Sequence, residues 1–208
     1  MNIAHILQEV AIFAPPFLFA LTVHEYAHGS LAYHFGDPTA KRLGRLTLNP
    51  LKHLDPLGVI AFFIMKIGWA KPVPVDARYF KDPVRQLLWV SLAGPGANLL
   101  TAIACGVLAK IFILLHFLLP AVLFQPLLQM LIAGVWINIM LAVFNLVPIP
   151  PLDGSKILLG LLPPAIARTY VKLEPFGFIL LLVLFYTGFL PRLIMPVIQF
   201  ANTVLLGK

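Results

Sequence analysis

The segment HEYAH, residues 24–28, combines residue types that together can perform metal-dependent hydrolysis. In an α-helix, the two histidines of an H-E-x-x-H pattern lie one turn apart on one face, where both imidazoles can bind one zinc ion. Glu25, between His24 and His28, then lies close enough to polarise a water molecule on that zinc. A chance pair of interfacial histidines is the alternative. Because ionisable residues at the end of an apolar run usually mark a functional site, the pattern favours the metal site.

A catalytic zinc ion needs a third protein ligand and an open fourth position. The acid with the most suggestive setting is Asp153, in the segment NLVPIPPLDG at 145–154, where three prolines stiffen the chain and Gly154 permits a sharp turn. Asp153 would alternatively cap the next short helix, and its local features do not separate the two roles. Two glutamates lie next to membrane boundaries without a supporting motif: Glu9 and Glu174. Four aspartates lie in basic loops, where solvated or salt-bridged carboxylates are typical: Asp37, Asp55, Asp76 and Asp82.

Asparagines within the apolar runs are second candidates for catalysis. Asn145 is predicted to donate a hydrogen bond to the scissile carbonyl or to the oxyanion formed from it. The alternative is that an intramembrane asparagine links neighbouring helices. For Asn98, which follows two glycines, catalysis and helix packing remain equally open. Asn138 shares a helical face with Asn145 and is predicted to link helices.

The composition indicates an integral membrane protein. Of the 208 residues, 60% are hydrophobic and 11% are charged, and the mean hydropathy is +0.94. A soluble domain carries about one-quarter charged residues. The net charge of +7 does not indicate nucleic-acid binding, because the basic residues lie in short loops between apolar runs. The single cysteine, Cys105, excludes an internal disulfide, and the first ten residues lack the basic stretch of a cleaved signal peptide.

The pattern of apolar runs predicts an all-α polytopic membrane protein with about four to six membrane segments, in which residues 1–208 form a single membrane-embedded domain. The runs cover about 3–35, 87–119, 127–147 and 176–206.

Prolines interrupt two of these apolar runs, and a further apolar run is too short to span a membrane. Pro15 and Pro16 are predicted to kink or divide the first run, and Pro191 and Pro196 to interrupt the last. The apolar segment 57–67 is too short to span and is predicted to be re-entrant.

Valine alternates with proline within residues 68–80, which predicts extended chain, as in a small edge hairpin near the active site. We hypothesise that this segment offers a strand edge to an unwound substrate.

The distribution of positive charge predicts the orientation. Loops 36–56, 68–86 and 148–175 are basic, whereas the turn 120–126 carries no basic residue. By the positive-inside rule the basic loops and the active site face the cytoplasm, most simply at the cell membrane. The basic residues of these loops are Lys41, Arg42, Arg45, Lys52, Lys71, Arg78, Lys81, Arg85, Lys156, Arg168 and Lys172.

Four segments in this order resemble the site-2 protease family of intramembrane zinc metalloproteases: HEYAH, NPLKHLDPLG at 49–58, AGPGAN at 93–98, and NLVPIPPLDG. The resemblance spans roughly residues 10–160. It implies that His24, His28 and Asp153 hold one Zn²⁺, that Glu25 is the general base, and that the substrates are membrane proteins. The family also shows a histidine at the place of His53, for which no role follows. A PDZ-like insertion, present in larger members, is not recognisable, so the chain resembles a minimal form.

The main alternative is a membrane zinc-binding or zinc-transport protein that uses the same ligands without proteolysis. A transporter has no need for a glutamate in this register, and it would more often show internal repeats. The sequence shows no such repeat.

Overall fold

The computed structural model describes residues 3–58 and 71–207, and the regular structure within these ranges is helical. The α-helices are α1 (Ile3–His34), α2 (Thr39–Arg42), α3 (Pro83–Leu114), α4 (Ala121–Asn145), α5 (Asp153–Leu161), α6 (Pro164–Val171), α7 (Gly177–Tyr186) and α8 (Phe189–Leu206). Single 3-10 turns lie at Pro50–Lys52, Ala77–Tyr79, His116–Leu118 and Glu174–Phe176.

Five helical stretches of the described chain are long and apolar enough to cross a membrane: α1, α3, α4, the stretch Pro164–Tyr186 that comprises α6 and α7, and α8. With a rise of about 1.5 Å per residue, α1 alone extends about 48 Å, more than the ~30 Å hydrocarbon layer. Many large apolar side chains on these helices are exposed, as lipid contact requires. The prediction of an all-α polytopic membrane protein with four to six segments is confirmed.

The prolines do not divide the helices as predicted, and a kink of α1 at Pro15 and Pro16 stays a prediction. Helix α1 continues through Pro15 and Pro16 without being divided. In the last apolar run the break falls at Gly188, whose φ of 73° suits glycine, and not at the prolines. Pro191 lies in the first turn of α8, where its missing N–H removes no helical hydrogen bond. Pro196 lies inside the helix.

The helices α1, α3 and α4 pack against one another, α5 packs on α3, and α8 packs on α4. Small residues allow close contact at these crossings. A Cβ on Gly134 of α4 would lie 2.9 Å from the Cys105 sulfur of α3, and one on Gly106 of α3 would lie 3.4 Å from the backbone oxygen of Leu205 in α8. The three-helix unit of α1, α3 and α4 therefore forms a compact support for polar residues between them.

Residues 71–76 (the 71–76 segment) form neither a helix nor a strand. The Lys71 N–H donates to the His53 carbonyl oxygen at 2.9 Å, and Asp76 has extended backbone angles. The re-entrant element predicted at 57–67 lies mostly outside the described residues, as does the first part of the hairpin predicted at 68–80. Both stay predictions.

Candidate metal centre

The two histidines of the H-E-x-x-H pattern lie on α1 and converge with Asp153, the first residue of α5. Asp153 Oδ2 is 3.1 Å from both His24 Nε2 and His28 Nε2, and the two Nε2 atoms are 3.0 Å apart. All three side chains are buried, with 6–9% of each residue exposed. The fold thus unites residues from two distant parts of the sequence into one triangle of possible ligand atoms.

The other ring nitrogen of each histidine faces a hydrogen-bond acceptor. His24 Nδ1 lies 2.6 Å from Asn98 Oδ1, and His28 Nδ1 lies 2.7 Å from the Val90 carbonyl oxygen. A neutral imidazole that donates from Nδ1 carries a lone pair on Nε2. Both Nε2 atoms are therefore in the form that binds a metal.

The orientation of the Asn98 amide follows from its surroundings. Its nitrogen donates to the Ala20 carbonyl oxygen at 3.0 Å and to Asn138 Oδ1 at 2.8 Å. The Asn138 nitrogen in turn donates to the Gly134 carbonyl oxygen at 2.8 Å. Because each nitrogen meets acceptors, Asn98 presents its oxygen to His24.

Two imidazole lone pairs and a carboxylate that converge within 3.1 Å would repel one another without a cation between them. A cation between them would remove this repulsion, and Asp153 would hold it as the ionised carboxylate. Two nitrogens, one oxygen and one open position are the donor set of a catalytic zinc site, so these residues fit zinc.

The chain reaches Asp153 through the turn after α4. A Cβ on Gly154 would collide with the Leu146 carbonyl oxygen and lie 2.5 Å from that of Val147. Gly154 is not among the glycines with positive φ, so the predicted reason was wrong: glycine is needed here for close packing of α5 on the end of α4. The N-cap residue of α5 is Leu152, which makes no side-chain hydrogen bond to the helix. Asp153 is therefore not the cap, and its carboxylate points to the histidines.

Glu25 is buried, and its carboxylate is tied to the 71–76 segment. Its Oε2 accepts a 2.7 Å hydrogen bond from the Val73 N–H. One helical turn further along α1, a Cβ on Gly29 would lie 3.0 Å from the Val73 side chain. The segment therefore lies along the face of α1 that carries Glu25 and Gly29.

Two buried charged residues hold the same segment. Arg45 donates from Nη2 to the Lys71 carbonyl oxygen at 2.6 Å, and Asp37 Oδ2 accepts from the Asp76 N–H at 2.7 Å. The expectation that Asp37 is solvated or salt-bridged was wrong, because its exposed fraction is 0% and it accepts backbone hydrogen bonds. Its position just before α2 is a capping signal, but local sequence does not reveal its burial.

His53 is also fully buried, although it lies in a loop. Its ring donates from Nε2 to the Thr47 carbonyl oxygen at 2.8 Å, and its own carbonyl accepts the Lys71 N–H. The sequence analysis found no role for His53. The structure places it between the loop of residues 47–53 and the start of the 71–76 segment, so it links the two.

The two candidate catalytic asparagines lie in different settings. Asn98 contacts His24 directly. Asn145 is half-buried at the end of α4 and donates to the Leu141 carbonyl oxygen at 2.9 Å. Among the described residues, no hydrogen bond joins Asn145 to the metal-binding triangle or to Glu25. Its predicted role towards the substrate stays a prediction.

The fold and the site define a class: a helical membrane protein with a buried His-His-Asp centre and an adjacent glutamate. A family model described as Peptidase family M50 matches residues 111–185, which contain Asn145 and Asp153. YwhC of Bacillus subtilis, named as a candidate zinc metalloprotease, is 44% identical over 168 residues, covering 81% of this chain and 77% of YwhC. The chain belongs to peptidase family M50, the site-2 protease family that its motifs resemble.

Mycobacterial relatives agree with this assignment. Rip2 of Mycolicibacterium smegmatis, also named as a candidate zinc metalloprotease, is 33% identical over 187 residues, covering 84% of this chain and 66% of Rip2. Rip2 of Mycobacterium tuberculosis strain H37Rv is 36% identical over 178 residues, covering 81% of this chain and 64% of that protein. The chain thus spans just under two thirds of these two relatives. No solved structure matches the chain.

Family membership and the apolar helices establish an intramembrane zinc metalloprotease that works in a lipid environment on membrane substrates. Zinc transport without proteolysis, the alternative that the sequence left open, is not favoured.

Proposed function

We propose that His24, His28 and Asp153 bind one zinc ion and that Glu25 is the general base in peptide-bond hydrolysis. The observation that supports this most directly is the convergence of three buried ligand atoms, with each Nδ1 donating to an acceptor and each Nε2 facing the centre. The helices of the chain act together as one membrane-embedded metalloprotease domain.

The residues around the metal centre have separate roles in peptide-bond hydrolysis. When bound, zinc polarises a carbonyl oxygen and lowers the pKa of water. Glu25 takes a proton from the attacking water and later delivers it to the leaving nitrogen. Since Val73 holds Oε2, the proton goes to Oε1. Asn145, close before Asp153 in sequence, donates a hydrogen bond to the substrate carbonyl as negative charge develops there.

The depth of the site accounts for cleavage within or beside the bilayer. His24 lies ten residues before the end of α1 at His34, a distance of about 15 Å along the helix. A substrate helix shields its own peptide bonds through its hydrogen bonds, so it must unwind locally to reach this depth. The 71–76 segment, beside Glu25, binds the unwound stretch through its main chain.

The orientation follows from the basic residues nearest the centre. Helix α2, with Lys41 and Arg42, follows the end of α1 nearer the metal-binding residues, and α5, with Lys156, begins at Asp153. By the positive-inside rule this end faces the cytoplasm, with the protein in the cell membrane.

Zinc content of purified variants tests the ligand set. His24→Ala, His28→Ala and Asp153→Ala should each lose stoichiometric zinc, because two remaining ligands rarely hold it. His34→Ala is the matched control, since His34 is an exposed histidine at the end of the same helix. Mass spectrometry of metal content should show full zinc in the control only. Full zinc in any of the three ligand variants would remove that residue from the ligand set.

A further inference from the structure

Three residues of α3, spaced four apart on one helical face, contact the two histidines of the metal centre. They are Val90, Gly94 and Asn98. Val90 accepts from His28 and Asn98 accepts from His24, and Gly94 lies between them. Val90 and Asn98 therefore meet the ring nitrogens that point away from the ligand triangle, whereas Gly94 lies against the Nε2 side of His28.

Asn98 does more than link helices, because it bonds two successive turns of α1 at once. Its oxygen faces the ring of His24, and its nitrogen donates to the carbonyl of Ala20, one turn earlier. Asn98 is completely buried, with an exposed fraction of 0%, so no water competes for these groups. The amide thus holds both the backbone of α1 and the ring of its metal-binding histidine.

An amide that turned by 180° would exchange its oxygen and nitrogen. The nitrogen of Asn98 would then face His24 Nδ1, which would have to accept, and the His24 proton would move to Nε2 in the metal-binding direction. Asn138 opposes this turn, since its Oδ1 and the Ala20 carbonyl oxygen are both acceptors and would repel the oxygen of a turned Asn98. The Asn138 amide is itself oriented by the Gly134 carbonyl oxygen.

We infer that Asn98, with Asn138 behind it, is a positioning residue that keeps His24 in the tautomer that binds zinc. The inference rests on the proposed ligand set. It extends that set to a buried relay that runs from the Gly134 carbonyl of α4 through Asn138 and Asn98 to His24. A ligand histidine whose other nitrogen loses its partner typically binds its metal 10–100-fold more weakly.

The competing explanation is that Asn98 and Asn138 only hold helices together. In that case their replacement lowers the stability of the zinc-free and zinc-bound protein equally and leaves zinc affinity unchanged. The relay instead predicts a change in zinc affinity itself. Zinc affinity is therefore the readout that separates positioning from packing.

Competition with a chromogenic zinc chelator, on full-length protein in detergent or nanodiscs, measures this affinity. Asn98→Leu keeps the volume but removes both hydrogen-bonding groups, and we expect its zinc affinity to fall by about 10–100-fold. Asn98→Asp retains an acceptor for His24 Nδ1 and should bind zinc more tightly than Asn98→Leu. The absorption spectrum of the Co²⁺-substituted protein should change in Asn98→Leu and not in the control.

Asn202→Leu is the matched control. Asn202 is a buried asparagine of α8 that donates to its own helix, at the Ile198 carbonyl oxygen 2.9 Å away, as Asn138 does in α4. Its replacement removes the same chemical group from a membrane helix without touching the metal centre. Its zinc affinity should equal that of the unmodified protein.

Should Asn98→Leu fail to fold, Asn138→Leu provides the same test, with a smaller expected loss of zinc affinity because Asn98 itself remains. Unchanged zinc affinity in the folded variant overturns the relay. If His24→Ala loses zinc while this variant keeps it, only the relay fails and the ligand set stands. If His24→Ala retains zinc, the ligand set fails and the relay fails with it.

Discussion

The carboxylate of Glu25 and the backbone N–H of Val73 form a 2.7 Å hydrogen bond that fixes the 71–76 segment against the face of α1 that carries Glu25 and Gly29. Val73 stands between two prolines, Pro72 and Pro74, so its N–H is the only backbone donor among those three residues. The general base and the segment proposed to bind substrate are therefore connected directly.

Replacing Glu25 with Gln should abolish most cleavage without loss of zinc. The Gln side-chain oxygen still accepts from Val73, and the ligands His24, His28 and Asp153 are unchanged, but the base is gone. Loss of a general base typically slows a reaction by about 10²–10⁴-fold. Cleavage of a candidate membrane substrate and zinc content should be measured on the same preparation.

Each departure from this result has a separate meaning. Normal cleavage with normal zinc would remove Glu25 from the mechanism. Loss of zinc would make Glu25 a ligand. If the unmodified protein cleaved no substrate, and if it and Glu25→Gln carried zinc into vesicles at equal rates, the transport alternative would be supported.

Arg45 should be required for an ordered 71–76 segment. Arg45→Met keeps much of the apolar stem and removes the guanidinium that donates to the Lys71 carbonyl oxygen at 2.6 Å. We expect faster hydrogen exchange of the amides at 71–76, lower cleavage, and unchanged zinc. Arg42→Met, at an exposed position of α2, is the matched control and should leave exchange and cleavage unaltered. Equal protection in both variants would contradict this role for Arg45.

Substitution by alanine should lower zinc binding at Gly94 and leave it unchanged at Gly96. A Cβ on Gly94 would collide with His28 Nε2 and lie 2.7 Å from His24 Cε1, whereas a Cβ on Gly96 meets nothing within 4 Å. Gly94→Ala should therefore displace the imidazoles and lower zinc binding, while Gly96→Ala should retain full zinc. Metal analysis and chelator competition on both proteins check this pair. Full zinc affinity in Gly94→Ala would mean that α3 moves away without disturbing the ligands.

Accessibility of single cysteines should reveal the proposed orientation. In a Cys105→Ala background, Leu123→Cys lies at the start of α4 and Lys81→Cys just before α3, and both positions are exposed. A membrane-impermeant maleimide should label residue 81 only from the cytoplasm and residue 123 only from the other side. Labelling of residue 123 from the cytoplasm would reverse the topology.

The sequence by itself was sufficient to predict that the long apolar runs are helical and that His24 and His28 share a helical face. It did not predict that α4 begins at Ala121, within the predicted turn 120–126. In lipid, every backbone polar group needs an internal partner, so long apolar runs form helices whatever their neighbours are. Spacing along a single helix also follows from the 3.6-residue period, so the shared face of His24 and His28 is a local property. Proline positions were less informative, as Pro15 and Pro16 show, because a helix supported by neighbours tolerates them.

Only the tertiary structure decided which distant groups complete the site. Asp153 is 129 residues from His24, Asn98 is 74 residues away, and the Val73 N–H is 48 residues from Glu25. Local features did not decide whether Asp153 is a metal ligand or a helix cap. They predicted that Asp37 is solvated or salt-bridged, although it is buried. Whether a polar side chain meets a metal centre, a carbonyl or solvent depends on which helices pack beside it. That packing is set by close contacts such as Gly94 on the imidazoles and Gly154 on the end of α4, which local sequence patterns do not contain.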